Sequence, residues 1–320
     1  MSDLKKQQKS ARGYLHLLRC PATGQSVTHD GNDLTDILGM RRYPLSASGI
    51  PQFALEFSTG DAAIQREHYD TIAQAYVTNL GYPHTREYMR YLDNAILDVI
   101  EPGNLGAAAE ICCGRGEAFK LIGNRIDVGI GVDISTAMLE EATKLHSPNK
   151  NLHFVQGDAT NLPLNDGQFD NVFMFGGIHH VNDRASLFAE IARILKPGGK
   201  FYYREPVSDF FVWRLLRALI YRLSPTLDHE TERPLLYKET VPLLEKSGLE
   251  STHWSTHGFL GFCIFMNSDV LVFNRLFRFM PGITTITRFF AKIDKLTLEL
   301  PGLNRAGLQV VGVAANEGNH

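Results

Sequence analysis

A glycine-containing turn follows an apolar run about a third of the way along the chain. The stretch AAAEICCGRGEAF contains Gly114 and Gly116, together with the acids Glu110 and Glu117. Paired glycines between a strand and a helix are typical of a turn that brings the backbone close to a nucleotide. A dinucleotide turn has a third glycine where this chain has Phe119, and Glu117 would repel a diphosphate at the helix N-terminus. No Gly-Lys-Ser/Thr follows, as a P-loop requires, so the turn disfavours both NAD and ATP.

Acidic residues accompany three successive apolar runs. Glu110 lies in AAAEIC, Asp133 follows GIGV, and Asp158 follows FVQG. A carboxylate at the end of the second strand of a nucleotide-binding fold can accept hydrogen bonds from both ribose hydroxyls. Acids beside a glycine turn suit a ligand that lacks phosphates and carries positive charge. S-adenosylmethionine, which has an ammonium and a sulfonium, meets both conditions and is the predicted cofactor, with S-adenosylhomocysteine as its product.

Two adjacent histidines and one glutamate are the candidates for proton transfer. His179 and His180 follow the fourth apolar run of the central region, and Glu205 ends the fifth. In an open α/β sheet, ligands bind at the carboxyl ends of the strands, where these three residues are predicted to lie. Histidine titrates near neutral pH, so His179 or His180 is the predicted general base for an acceptor that loses a proton, with Glu205 as the alternative.

Short apolar runs alternate with amphipathic segments from Gly106 onward. The runs are AAAEIC, VGIGV, LHFVQ, FDNVFMF and GKFYYRE. Between them lie STAMLEEATKL, with Ser135 as its N-cap, and DRASLFAEIARIL, which precedes KPGG. A later helix is predicted over about 237–248, then a strand near Trp254 and a closing strand in GLQVVGVAAN. The alternation predicts an α/β fold: a doubly wound seven-stranded sheet with helices on both faces and an antiparallel last strand.

The order and spacing of four motifs resemble those of the class I S-adenosylmethionine-dependent methyltransferases. The motifs are EICCGRGE, GVDISTAMLEEA, GDATNLPLNDGQFDNVFMFGGIHHV and EIARILKPGGKFYYREP, and the resemblance covers roughly residues 66–315. One departure is Cys112, which stands where this family usually has glycine, and it predicts a tighter turn.

The resemblance also implies a cofactor contact for each of thirteen positions. Glu110, Cys112, Gly114 and Gly116 would surround the methionine end, and Asp133 would bind the ribose. Around the adenine, the implied contacts are Ile134 and Met138 by packing, and Asp158 and the Ala159 amide by hydrogen bonds. Phe175 and Gly176 would line the floor, and Tyr69 and Tyr76 of HYDTIAQAY would close over the cofactor.

Two long connections are predicted to form helical lids over the substrate side, at about 206–236 and 264–305. Both combine apolar residues with a basic stripe, which favours a hydrophobic acceptor, contact with a membrane surface, or ordinary packing on the core. In the first, the cations are Arg214, Arg217 and Arg222; in the second, Arg288, Lys292 and Lys295 stand opposite Phe289, Ile293 and Leu296.

The first 57 residues differ in texture from residues 58–320, which form the predicted methyltransferase domain. LLRCPATGQSV and YPLSASGIPQF read as a small β-rich unit and resemble the zinc-ribbon-like activators of tRNA and rRNA methyltransferases. A tetrahedral zinc site needs four ligands, and Cys20 with His16 and His29 does not supply them. We therefore expect a unit without metal that serves as a cap or as the surface of a homodimer.

Composition narrows the function further. The net charge of −3 offers no general attraction for nucleic acid, and the polar N-terminus is not a signal peptide, which favours a cytoplasmic protein. The predicted function is methyl transfer from S-adenosylmethionine to a hydrophobic small molecule. An RNA methyltransferase is one alternative. A cofactor-binding regulatory partner without catalysis, supported by Cys112 and the metal-free N-terminal unit, is the other.

Overall fold

A computed structural model describes residues 13–31, 33–54, 81–215, 233–266 and 272–318 of the chain. Near the N-terminus, β1 (Val27–Asp30), β2 (Asp33–Asp36) and β3 (Arg42–Pro44) form an antiparallel three-stranded sheet. The predicted β-rich character of this unit is confirmed. The expected boundary after residue 57 lies outside the described residues, as do Tyr69 and Tyr76.

A seven-stranded sheet forms the centre of the molecule. Its strands are β4 (Ala107–Ile111), β5 (Val128–Asp133), β6 (Leu152–Gln156), β7 (Phe169–Phe175), β8 (Leu195–Pro206), β9 (Leu249–His257) and β10 (Gln309–Asn316). They lie in the order β6-β5-β4-β7-β8-β10-β9. Strands β4 to β8 pair in parallel, whereas β10 is antiparallel to both β8 and β9. The predicted sheet, including its antiparallel last strand, is confirmed.

Seven helices accompany the strands in the described residues: α1 (Pro83–Leu97), α2 (Glu117–Ile122), α3 (Thr136–Leu145), α4 (Arg184–Ile194), α5 (Tyr237–Lys246), α6 (Leu260–Met266) and α7 (Ile283–Leu298). Short 3₁₀ helices span Leu15–Leu17, Ile178–His180 and Val272–Phe279. Ser135 caps α3 as predicted, because its hydroxyl accepts a hydrogen bond from the Met138 amide at 3.2 Å. No described helix is long and apolar enough to cross a membrane.

The KPGG segment lies inside strand β8 instead of forming a separate connection before it. Phe169 pairs with Leu195, but two residues later Asn171 pairs with Lys200, so the residues between Leu195 and Lys200 bulge from the ladder. Proline cannot donate a ladder hydrogen bond, and Gly198 has a φ of 78°, so both residues fit a bulge.

The second insertion is helical, and it packs on α1. Tyr88 and Leu92 of α1 share a core cluster with Phe265 of α6 and with Ala291 of α7. The first insertion is described only in part, since residues 216–232, with Arg217 and Arg222, lie outside the described residues.

Candidate functional site

A cavity opens where β4, β5, β6 and β7 end at their carboxyl edge. The strand order reverses between β4 and its two neighbours, β5 and β7, which is the topological position at which α/β sheets bind ligands. Ten of the predicted site residues line this cavity: Cys112, Gly114, Asp133, Ile134, Met138, Asp158, Ala159, Phe175, Gly176 and His180.

The turn after β4 follows a left-handed backbone at three positions. Cys112, Gly114 and Gly116 have φ values of 49°, 50° and 79°. Glycine adopts this conformation freely, whereas a residue with a side chain is strained there. The departure at Cys112 therefore falls where the backbone favours glycine. Its side chain packs against Gly177, at which an added Cβ would lie 2.6 Å from the Cys112 Cβ.

Neither cysteine of this turn is prepared for nucleophilic chemistry. Burial raises the pKa of the Cys112 and Cys113 thiols well above the usual value, and nearby Asp133 raises both further. A neutral thiol is a poor nucleophile. Both residues line the cavity as small apolar groups.

Asp133 links the glycine turn to the start of α3. One carboxylate oxygen accepts a hydrogen bond from the Gly114 amide at 2.7 Å, and the other accepts one from the Ser135 amide at 2.9 Å. On the next strand, Asp158 accepts from both the amide and the hydroxyl of Thr160, at 2.9 and 2.7 Å. Backbone and hydroxyl donors hold both acids in place at the cavity wall.

The structure places the carboxyl group of Glu110 behind the glycine turn, at the start of α2. Glu110 is buried and does not line the cavity. Its carboxyl oxygens accept hydrogen bonds from the Ala118 and Phe119 amides of α2, at 2.8 and 3.1 Å. Glu110 thus satisfies free amides at the helix N-terminus from behind the turn. Burial is the largest influence on its pKa and raises it to about 8.

Gly116 also lies behind the turn, outside the cavity lining. A Cβ on Gly116 would come within 2.6 Å of Nε2 of His146. That nitrogen is 3.1 Å from the Arg115 carbonyl oxygen and 3.2 Å from the Gly116 carbonyl oxygen. Close contact with the end of α3 therefore requires glycine at this position. The implied contact of Gly116 with the methionine end of the cofactor stays a prediction.

The histidine pair divides into one residue at the cavity and one behind it. His180 lines the cavity, whereas His179 does not. Nδ1 of His179 is 2.9 Å from Oε2 of Glu205, and the two imidazole centroids are 3.8 Å apart. His179 thus lies between Glu205 and the ring that faces the cavity.

Glu205, the predicted alternative base, accepts hydrogen bonds from the loop after β7. It is fully buried and absent from the cavity lining. Its Oε1 accepts hydrogen bonds from the Gly177 and Ile178 amides at 2.7 and 3.0 Å. A carboxylate engaged by the loop amides and by His179 holds the loop that carries His180, and it does not face the cavity.

Several cavity residues were not predicted, although they adjoin predicted ones. Arg115 and Glu117 lie in the glycine turn and line the cavity. Asn182 and Asp183 follow the histidines, and Asp183 also caps α4 by accepting from the Ser186 amide at 3.0 Å. The signal that could have found them is their position between the end of a strand and the first turn of the next helix.

The residues present fit S-adenosylmethionine. Four carboxylates line the cavity against one guanidinium, which suits a cationic ligand and opposes a polyphosphate. The site for a Cβ on Gly176 is open, with no atom within 4 Å, so the backbone there leaves room for a ligand. Ile134, Met138 and Phe175 supply apolar surface for a purine.

Comparison with known proteins also indicates a methyltransferase. The family model described as a methyltransferase domain matches residues 109–203. A demethylmenaquinone methyltransferase from Staphylococcus saprophyticus is 38% identical over 96 residues, and the chain spans only 41% of that protein's length. A demethylmenaquinone methyltransferase from Leptospira interrogans is 31% identical over 223 residues, which cover 62% of this chain and 89% of that protein.

The chain belongs to the S-adenosylmethionine-dependent methyltransferases. S-adenosylmethionine is accordingly the cofactor, as the turn and its acids predicted. Solved structures share the fold of this methyltransferase. A putative methyltransferase solved with the Trm112 activator of Haloferax volcanii has a TM-score of 0.56 at 19% identity, with 80% of this chain and 98% of that chain covered. A methyltransferase of Thermotoga maritima has a TM-score of 0.52 at 20% identity, with coverages of 79% and 99%.

Proposed function

We propose that this methyltransferase methylates a hydrophobic, quinone-like small molecule, and that His180 takes up the proton that the acceptor loses. The observation that carries the proposal is the composition of the cavity, where acids and glycines adjoin an apolar wall that includes Phe175 and Val181. The names of the Staphylococcus and Leptospira relatives support a quinone as the acceptor.

Bound S-adenosylmethionine supplies an electrophilic methyl group on its sulfonium. The chain's own task is to orient the two ligands and to exclude water, and orientation alone is worth about 7–11 kcal/mol in favourable cases. Asp133 and Asp158 are held by backbone and hydroxyl donors, so they are oriented before a ligand arrives. Such fixed acids place the cofactor without reorganisation.

Proton removal is required when the acceptor atom is a ring carbon or a hydroxyl oxygen. As the new bond to the methyl carbon forms, the proton on that acceptor atom passes to the imidazole of His180. Glu205 and His179 hold this imidazole from behind through hydrogen bonds and ring contact. Imidazole is the side chain that most often serves as a general base.

The acceptor class is tested with radiolabelled S-adenosylmethionine and two acceptors. One is a reduced short-chain naphthoquinone without its ring methyl group, and the other is unmodified tRNA. We expect label in the quinol fraction alone. Label in tRNA, or none in the quinol while S-adenosylhomocysteine binds normally, would overturn the proposed acceptor class.

The role of His180 is tested by His180→Ala, with His29→Ala as the matched control because His29 is exposed on the N-terminal sheet. We expect His180→Ala to lower kcat by about 10²–10⁴, since general base catalysis contributes that much, and to remove the fall in activity at low pH that protonation of the base causes. Affinity for S-adenosylhomocysteine should change little. An unchanged pH profile in His180→Ala would exclude the proton-transfer role.

A further inference from the structure

Exposed apolar side chains concentrate in one part of the second insertion. Of the seventeen large hydrophobic residues that are exposed among the described residues, nine lie between positions 273 and 300. The most exposed are Leu276, Phe279, Phe289 and Leu296, with 67%, 70%, 60% and 63% of their surface accessible. This density is unlike the scattered exposed apolar residues of an ordinary protein surface.

Helix α7 divides its surface into three faces. Its buried stripe consists of Ile283, Thr287, Ala291, Asp294 and Leu298. At 3.6 residues per turn, the exposed residues Ile286, Phe289, Ile293 and Leu296 fall within an arc of roughly 80° away from that stripe. Arg288, Lys292 and Lys295 occupy the remaining arc and are also exposed. The apolar stripe expected opposite the cations therefore faces solvent, not the core.

The 3₁₀ helix over Val272–Phe279 also has an exposed apolar, an inward and a basic face, with a period of three residues. At three residues per turn, side chains at i and i+3 align, so Phe273, Leu276 and Phe279 form one line. All three are exposed. Asn274 and Phe277 form the inward line, since Asn274 is fully buried and Phe277 packs against the α1 cluster. Arg275 and Arg278 form the third line, which is basic.

The insertion is anchored, so its outer residues do not turn inward. Asp294 of α7 is fully buried and accepts hydrogen bonds from the Phe259, Gly261 and Phe262 amides at 2.9, 3.0 and 3.0 Å. The Tyr88 hydroxyl of α1 also donates to Asp294. These bonds fix the orientation of α7 about its axis, and with it the exposure of its apolar arc.

We infer that this surface binds an anionic lipid bilayer at its interface. The docking face consists of the exposed apolar residues of α7 and of the 3₁₀ helix, together with the adjacent basic residues Arg275, Arg278, Lys292 and Lys295. Apolar residues beside a basic stripe are the features with which a helix lies in the headgroup region of an anionic membrane.

The charges favour lipid headgroups as the occupant. Residues 272–300 contain five cations, and Glu299 is the exposed acid among them, because Asp294 is buried. Arg288 is engaged by Glu87 at 2.9 Å, and the Arg278 guanidinium lies 4.7 Å from the centre of the Phe279 ring. Arg278 and Lys292 are exposed directly beside the apolar residues, so they can meet headgroup phosphates while the apolar side chains enter the interface. This inference does not depend on the identity of the methyl acceptor.

Vesicle sedimentation tests the inference with the full chain. Two vesicle compositions are compared, phosphatidylcholine alone and phosphatidylcholine mixed with phosphatidylglycerol. We expect binding to the anionic vesicles that weakens as salt rises. Two double variants, Phe289→Ser with Leu296→Ser and Lys292→Glu with Lys295→Glu, should each lower the partition coefficient at least about tenfold.

A matched control uses exposed apolar residues elsewhere. Leu38 and Met40 are as exposed as the α7 residues but lie in the turn between β2 and β3, so Leu38→Ser with Met40→Ser should leave vesicle binding unchanged. Titration with S-adenosylhomocysteine verifies that each variant is folded. The inference fails if wild type does not bind anionic vesicles, or if the α7 variants bind as well as wild type. It also fails if light scattering shows a dimer that Phe289→Ser with Leu296→Ser converts to monomer, since a second copy would then cover the face.

Discussion

At the scale of single residues, Cys112 carries a backbone strain that its side chain must offset. A non-glycine residue at its φ of 49° costs about 1–2 kcal/mol. Its side chain fills the space beside Gly177 and lines the cavity, so contact on the ligand side accompanies the strain. The glycine that is usual in the family adopts this left-handed backbone without strain, whereas Cys112 adopts it with strain and adds a side-chain contact.

The stability order of the alanine and glycine variants should be reversed between Cys112 and Cys113. At position 112, Cys112→Gly should be more stable than Cys112→Ala by about 1 kcal/mol, because only glycine accepts the left-handed backbone without strain. Cys113 does not share the positive φ, so Cys113→Ala should be more stable than Cys113→Gly. Chemical denaturation of the four variants measures both differences. The same order at both positions would show that Cys112 is not strained.

Glu110 should make stability depend on pH in a direction opposite to that of most acids. Burial raises its pKa to about 8 in the folded state, from a usual value of 4.5. The unfolded chain therefore releases its proton first, and the stabilising contribution is lost as pH rises from about 4.5 to about 8. We expect Glu110→Gln to flatten the fall in Tm over this range. Glu117→Gln serves as the control, because Glu117 lies in the same turn but is partly exposed. Parallel Tm curves for wild type and Glu110→Gln would contradict the raised pKa of Glu110.

At the scale of elements, the glycine turn is fixed by the end of α3 as much as by its own sequence. His146 follows α3, and its ring occupies the space that a side chain on Gly116 would need. The turn and the helix end are thus coupled, although thirty residues separate the two in sequence. Coupling of this kind is what a double-mutant cycle measures.

Gly116→Ala should destabilise the protein by about 1–3 kcal/mol, because it adds both a backbone strain and a contact with His146. In a His146→Ala background the contact disappears, so the cost of Gly116→Ala should fall by about 1 kcal/mol and leave the backbone part. Denaturation of the two single variants and the double variant gives the coupling. Additive effects would show that His146 does not constrain the turn.

The strands and the cavity edge could be predicted because their signals are local. Each apolar run became a strand of the sheet, and acids directly after strands, such as Asp133 and Asp158, had to lie at the carboxyl edge. The side on which Glu110 acts could not be predicted, because its partners are amides of the following helix. Sequence spacing shows that an acid is near a turn, but not which face of the turn it contacts.

For helix α7 of the second insertion, too, the local sequence does not show which face is buried. The apolar residues Phe289, Ile293 and Leu296 suggested a core-facing stripe as one interpretation, yet α7 buries Thr287 and Asp294. These polar groups can be buried because Thr287 donates to the Ile283 carbonyl and Asp294 accepts from α6 amides and from Tyr88. The partners of Asp294 come from distant parts of the chain, so the local pattern of α7 does not reveal why this residue is buried.

At the scale of the whole molecule, the N-terminal unit completes the edge of the central sheet. Gln52 pairs in parallel with Gln156 of the edge strand β6, and the Phe53 amide donates to the Gln156 carbonyl at 2.9 Å. Leu18 bridges Leu164, and both belong to one core cluster with residues of β5 and β6. Within this unit, the sulfur of Cys20 lies 2.9 Å from the hydroxyl oxygen of Tyr43. The unit therefore covers a strand edge that would otherwise be open to aggregation.

Unfolding of this unit and of the central sheet should be one transition. Both tryptophans, Trp213 and Trp254, lie outside the N-terminal unit, so their fluorescence reports on the rest of the molecule. Leu18→Ala, at a fully buried position, should lower the stability reported by tryptophan by about 2–5 kcal/mol. Leu38→Ala, at an exposed position of the same unit, should not. An unchanged tryptophan transition in Leu18→Ala would show that the unit folds separately.

The most direct test of the account is calorimetric titration of S-adenosylhomocysteine, and separately of NAD, into wild type, Asp133→Ala and Asp127→Ala. Asp127 is exposed just before β5, at the opposite end of that strand from Asp133. We predict micromolar binding of S-adenosylhomocysteine alone, lost in Asp133→Ala and kept in Asp127→Ala. Binding of NAD, or equal binding of S-adenosylhomocysteine to wild type and Asp133→Ala, would contradict the assignment of the cavity.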